Sequence, residues 1–128
     1  MPTLMMLPPQ SEQTREWAQR LAQALPEWRV LTPESEDEAR RDIGQADAGY
    51  GWPPPDLLPP ADSLRWVQSA HAAPPTSYYY QELIDDPVVV TNMRGIYNDH
   101  IAQHIMLYVL ALARGLPFYM EAQRQRRW

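Results

Sequence analysis

Apolar residues recur along this chain with two alternating periods, and the alternation predicts its elements. Thr3-Leu4-Met5-Met6-Leu7 is a short apolar run closed by Pro8-Pro9, which reads as a strand. Ser11 then stands as N-cap before Thr14, Trp17, Ala18, Leu21, Ala22 and Leu25, spaced as one face of a helix that Pro26 ends. Trp28–Leu31 predicts a second strand. Thr32 as N-cap and Pro33 at the first helical position predict a second helix, with acids Glu34, Glu36, Asp37 and Glu38 early and Arg40 and Arg41 late, as the helix dipole prefers. This charge run reads as a solvated helix face rather than an acidic binding patch.

Ala46–Tyr50, Leu64–Gln68 and Pro87–Thr91 predict a third, fourth and fifth strand. Five strands separated by crossovers imply an α/β fold with a parallel sheet. The connection over residues 51–63 is proline-rich but contains no PxxP spacing; it predicts a rigid link with one helical turn. After the fifth strand, Asn98 or Asp99 is the expected cap of a helix running to Arg114, apolar on nearly every side at Ile101, Ile105, Met106, Leu107, Tyr108, Val109, Leu110 and Leu112. Gly115 ends it. Pro117 opens a last helix with Arg124, Arg126 and Arg127 in its final turn, and Trp128 follows directly.

Composition removes several classes of chemistry. The 128 residues contain no Cys, which excludes a disulfide framework, a thiolate nucleophile and a Cys-ligated zinc site. All 11 basic residues are Arg, so a Schiff-base lysine and a P-loop lysine are impossible. Net charge −5 and a pI near 5.1 argue against nucleic acid as a partner. Residues 1–10 lack a basic export-signal region. Ile101–Ala113 falls short of the roughly 20 residues of a membrane span. A soluble, cytoplasmic chain with no membrane partner is expected.

Motifs for chemistry are sparse. Gly49-Tyr50-Gly51 continues into Trp52 and prolines, so the dinucleotide fingerprint is absent. His100 and His104 have the i, i+4 spacing of a zinc protease without its glutamate, and no metal site is expected. No Gly-x-Ser-x-Gly exists. Position says more: ligands of open parallel sheets bind beyond the carboxyl ends of the strands. There, Ser69, Ala70, His71, Ala72 and Ala73 follow the fourth strand, and Asn92, Arg94 and Gly95 follow the fifth. Backbone N–H groups, an amide, an imidazole and a guanidinium suit a small carboxylate. A plain turn with a solvated Arg94 is the alternative. Tyr78-Tyr79-Tyr80, at the start of a helix, reads as packing before it reads as a flank of the same mouth.

Four segments then carry a family resemblance: Leu64–Ser69, Val88–Ile96, Ile101–His104, and Leu110–Pro117 with Gln123–Trp128. In order and spacing they resemble the amino-terminal part of the D-isomer-specific 2-hydroxyacid dehydrogenases, closest to glyoxylate/hydroxypyruvate reductase and phosphoglycerate dehydrogenase-like members. The resemblance implies a flavodoxin-like substrate domain over 1–97, a helical arm over 98–128 that crosses toward a nucleotide domain, and a substrate carboxylate held by backbone amides of Ser69–Ala73. It also implies NAD(P) for the complete enzyme, with the catalytic Arg and Glu–His set and the glycine-rich cofactor loop lying beyond residue 128. No catalytic, cofactor-binding or metal residue is therefore expected within this chain, which reads as an excised or truncated part without activity of its own. Where the family has Ala-Gly-Val-Asp, this chain has Ala72-Ala73-Pro74-Pro75, and Gln103 replaces a usual Glu. The prolines remove N–H donors and predict weak binding of a 2-oxo or 2-hydroxy acid. The exposed apolar arm predicts a homodimer through residues 98–128. A non-catalytic flavodoxin-like oligomerisation or partner-binding module is the alternative.

Overall fold

The computed structural model describes residues 1–127, so expectations that involve Trp128 lie outside the described residues. The chain divides into two compact units, Met1–Met93 and Arg94–Trp128. That boundary falls slightly before the expected one at 97.

Alternating strands and helices build the first unit. Its strands are β1 (Thr3–Met6), β2 (Arg29–Leu31), β3 (Ala48–Tyr50), β4 (Trp66–Gln68) and β5 (Val89–Thr91). They form one parallel sheet in the order β2-β1-β3-β4-β5, the doubly wound flavodoxin-like order, in which the order of strand addition reverses between β1 and β3. The strands are shorter than the apolar runs that predict them. Pairing nevertheless continues past their ends, as where the Leu7 N–H donates to the Tyr50 carbonyl at 2.9 Å.

Register decides what each face buries. Met5 lies opposite Leu31 and Gly49, Gly49 opposite Val67, and Val67 opposite Val90, so these side chains share one face. Against them pack Ala39 and Ile43, Leu57, Leu58, Ala61 and Leu64 of the proline-rich connection, and Tyr78 and Leu83. On the opposite face α1 (Glu12–Ala24) buries Ala18 and sets the Trp17 ring edge-on to Tyr50 at 5.8 Å. Trp66 and Val89 of that face stay 42 % and 58 % exposed, although parallel sheets are normally covered on both sides.

Local chemistry explains the helix ends. Ser11 caps α1 as expected: its hydroxyl accepts from the Thr14 N–H at 3.1 Å, and Thr14 Oγ1 accepts from the Ser11 N–H at 2.8 Å. The second helix departs from expectation. α2 spans Glu36–Asp42 with Ser35, not Thr32, as N-cap. Pro33 is buried, and its carbonyl accepts from Gln10 Nε2 at 3.0 Å, which holds the segment extended. The Glu38 carboxylate instead accepts from the Glu34 N–H at 2.8 Å, and Ser35 Oγ accepts from the Glu38 N–H at 3.3 Å.

The connection over 51–63 holds no helical turn. It is a series of tight turns closed by Leu57 N–H to Pro54 O and Ala61 N–H to Leu58 O. Pro59 and Pro60 have no N–H to give to residues four positions back, so an α-helical ladder cannot form. A 3₁₀ turn at Thr76–Tyr78 precedes α3 (Gln81–Asp85).

The second unit is a helix pair. α4 spans Asn98–Ala113, with Tyr97 at the cap and no side-chain cap bond, so neither Asn98 nor Asp99 caps it. Gly115 turns the chain in the left-handed region, φ 64°. α5 runs Leu116–Arg124 with Pro117 in its first turn. The helix stops there, leaving Arg126 and Arg127 past its end rather than in its last turn, with Arg126 itself at φ 52°. Neither helix buries a residue.

Candidate functional site

Three strand ends converge on one hydrogen-bonded turn. Ser69, the residue after β4, is fully buried, and its N–H extends the sheet to the Thr91 carbonyl at 2.8 Å. Its hydroxyl accepts from the His71 N–H at 3.1 Å, which closes the chain into a turn. Two of the five expected donors, the Ser69 and His71 amides, are thus already used. The Ala70, Ala72 and Ala73 amides make no hydrogen bond to another of the described residues. Ala70, His71 and Ala73 are exposed and Ala72 half-buried. Three of the five expected donors, rather than all five, are therefore open.

The turn is braced from both sides. Along the sheet, Trp66 Nε1 donates to Thr91 Oγ1 at 2.8 Å, Thr91 Oγ1 donates to Gln68 Oε1 at 2.7 Å, and Gln68 Nε2 donates to the Ser69 carbonyl at 3.0 Å. Across the sheet, the Gly51 N–H donates to the Gln68 carbonyl at 2.9 Å. Gly51 in turn accepts the Tyr78 hydroxyl on its carbonyl at 2.9 Å. Burial pushes the Tyr78 hydroxyl above the ordinary tyrosine range, and the neighbouring Ser69 hydroxyl works in the opposite direction. A shallow recess of about 260 Å³ adjoins the turn, lined by Trp52, His71, Pro75, Ser77 and Tyr78. Trp52 forms a fixed wall: its Nε1 donates to the Tyr78 carbonyl at 3.3 Å and its ring meets Tyr80 edge-on at 6.3 Å.

The remaining expected residues divide between the units. Asn92 is exposed one residue beyond β5 in the first unit. Arg94 and Gly95 open the second, Gly95 at φ 93°. His100 and His104 are exposed on α4, His104 edge-on to Tyr108 at 4.7 Å, and no group of three metal-ligating side chains exists among the described residues. In the tyrosine run, Tyr78 is 3 % exposed and the Tyr80 hydroxyl donates to the Pro53 carbonyl at 2.8 Å, so both pack as expected. Trp52 and the Tyr78 hydroxyl escape a reading of the sequence for motifs. The signal that finds them is topological, since Gly51 and Trp52 follow β3, where the strand order reverses.

Among the described residues no single helix is long and apolar enough to cross a membrane; α4 and α5 reach that length and composition only as a pair bent by 67°. No family model and no curated protein matches the sequence. Solved structures do. A D-isomer specific 2-hydroxyacid dehydrogenase family protein from Aeromonas salmonicida subsp. salmonicida is 31% identical over 99% of this chain and 40% of its own, with a TM-score of 0.66. A phosphoglycerate oxidoreductase from Rhizobium etli is 20% identical over 98% of this chain and 40% of its own, TM-score 0.69. A D-lactate dehydrogenase from Treponema pallidum is 16% identical over 100% of this chain and 41% of its own, TM-score 0.64. These last two likenesses are of fold. The chain spans about 40% of the length of the structures it matches.

Proposed function

We propose that this chain, similar over its whole length to part of the D-isomer specific 2-hydroxyacid dehydrogenases, is the substrate-binding part of such an enzyme and holds the carboxylate of a small 2-oxo or 2-hydroxy acid at the Ser69–Ala73 turn. The open amides of Ala70, Ala72 and Ala73 carry the reading. Three N–H groups within one turn that have no acceptor among the described residues leave positive partial charge uncompensated, the feature that an anion-binding nest uses. The Asn92 amide, one residue beyond β5, is proposed to add a donor.

The NAD(P) that the resemblance implies for the complete enzyme does not fit the residues described. A pyrophosphate cradle needs a glycine-rich turn leading from a strand into a helix. After β1 the chain reads Leu7-Pro8-Pro9-Gln10-Ser11, without glycine, and Ser11 itself caps the following helix. After β3, Gly51 leads into prolines and tight turns. The role proposed here is therefore binding and orientation, with hydride and proton transfer left to residues outside this chain. These 128 residues alone are expected to give no NAD(P)H-dependent reduction of glyoxylate, hydroxypyruvate or pyruvate.

The second part of the proposal is a cytoplasmic homodimer through residues 98–128. Ile105, Leu112 and Phe118 are 56 %, 71 % and 71 % exposed, and covering each is worth about 1.5–3 kcal/mol. The same surface supports the alternative of an oligomerisation module, which would bind no 2-oxo acid. Calorimetric titration separates them: binding of glyoxylate or pyruvate is expected at about millimolar affinity, roughly 4 kcal/mol, and weakened in Asn92→Ala. Heats equal to those of buffer dilution would reject the carboxylate site and leave the oligomerisation reading.

A further inference from the structure

The carboxylate turn is shaped by a group that never faces solvent. Tyr78 is 3 % exposed and lies 27 positions along the chain from Gly51, yet its hydroxyl donates to the Gly51 carbonyl at 2.9 Å. Its main chain is held as firmly, with its N–H on the Pro75 carbonyl at 2.9 Å and its carbonyl accepting Trp52 Nε1 at 3.3 Å. Tyr78 also lines the same recess as His71, whose N–H the buried Ser69 hydroxyl accepts to close the turn. One side chain therefore bonds the loop after β3 and borders the recess beside the turn after β4.

We propose that Tyr78 is a positioning residue for the carboxylate site, setting through Gly51 the direction in which the Ala70, Ala72 and Ala73 amides point. The proposal rests on the reading of the Ser69–Ala73 turn as that site. A hydroxyl is required as well as a ring. Phenylalanine fills the same volume in the core but leaves the Gly51 carbonyl without its donor. The turn then keeps its His71-to-Ser69 bond and loses the brace that fixes its angle to β3.

Tyr80 provides a matched control. Its hydroxyl makes an equivalent bond, 2.8 Å to the Pro53 carbonyl of the same connection, with no tie to the β4 turn. Tyr78→Phe and Tyr80→Phe each delete one such hydroxyl, so their melting temperatures should fall to a similar extent. Amide spectra of the full chain should differ. Tyr78→Phe moves the Ala70, Ala72 and Ala73 resonances and speeds their hydrogen exchange, whereas Tyr80→Phe leaves them in place. Glyoxylate, used as the probe, should bind about tenfold more weakly to Tyr78→Phe and within about twofold of wild type to Tyr80→Phe.

Should Tyr78→Phe fail to fold, Trp52→Phe removes the Nε1 donor that holds the Tyr78 carbonyl and should displace the same three amides; amides left in place would count against the proposal. If wild type binds no glyoxylate, the carboxylate reading fails, while the ligand-free amide comparison still decides whether Tyr78 orients the turn. Equal behaviour of Tyr78→Phe and Tyr80→Phe at those amides overturns the proposal.

Discussion

Gly51 is the point at which the fold and the site make opposing demands on one residue, and replacing it with alanine should be costly. The residue stands at φ 120°, a conformation L side chains rarely adopt. A Cβ there would lie 3.3 Å from Leu7 Cβ and 3.6 Å from the Leu7 carbonyl oxygen. Leu7 is 6 % exposed within the core, and its N–H is bonded to Tyr50, so it cannot withdraw freely. Gly51 is held too, by its N–H on Gln68 and by the Tyr78 hydroxyl on its carbonyl, both at 2.9 Å. The backbone conformation costs about 1–3 kcal/mol for a residue with a side chain, and overpacking against Leu7 adds about 1–3 kcal/mol. One backbone shift relieves part of both, so the expected loss for Gly51→Ala is about 2–4 kcal/mol. Gly49→Ala is the control: two residues earlier, within β3, its Cβ meets Leu7, Val67 and Leu64 at 3.4, 3.6 and 3.7 Å, ordinary contacts, and should change stability by less than about 1 kcal/mol. Guanidinium unfolding followed by far-UV circular dichroism compares the two. Equal losses in the two variants, or a Gly51→Ala loss below about 0.5 kcal/mol, would refute the reasoning.

Three further outcomes follow from particular contacts. Ser11→Ala removes the hydroxyl that accepts the Thr14 N–H and should lower stability by about 1 kcal/mol, read from the same unfolding curves. Burial holds the Tyr80 hydroxyl up to about 12 and raises that of Tyr78 as well. Because these folded-state values exceed the unfolded ones, the stability they contribute is complete below about pH 10 and is lost as pH rises through the folded values. Urea midpoints should therefore fall between pH 10 and 12, and fall less over that range in Tyr80→Phe, which keeps only the Tyr78 contribution. Light scattering at tens of micromolar should give a dimer mass for wild type and a monomer mass for Leu112→Glu, whose position is 71 % exposed on α4; a folded wild-type monomer would reject the dimer.

What the sequence makes legible is what local chemistry decides. The apolar runs mark all five strands, because a parallel sheet buries its strands at short continuous stretches. Ser11, with Thr14 three residues on, marks a helix start because both halves of the cap lie within one turn. Other features depend on partners distant in the chain. Thr32-Pro33 has the form of a helix start, but Gln10 holds the Pro33 carbonyl from 23 positions away and moves the start to Ser35. The open amides follow the same rule. Ser69–Ala73 is legible as a loop at a strand end, whereas the bond that uses the Ser69 N–H and the bonds that brace the turn involve Thr91, Gln68, Gly51 and Tyr78. A run of three tyrosines does not disclose which carbonyl each hydroxyl will meet.

A carboxylate held on the turn after β4 would be seen at the binding amides themselves by NMR of the full chain titrated with glyoxylate. Saturable shifts are expected at Ala70, Ala72 and Ala73, smaller ones at Asn92, with about millimolar affinity. Shifts confined to other residues, or a spectrum unchanged at tens of millimolar glyoxylate, would contradict the carboxylate site.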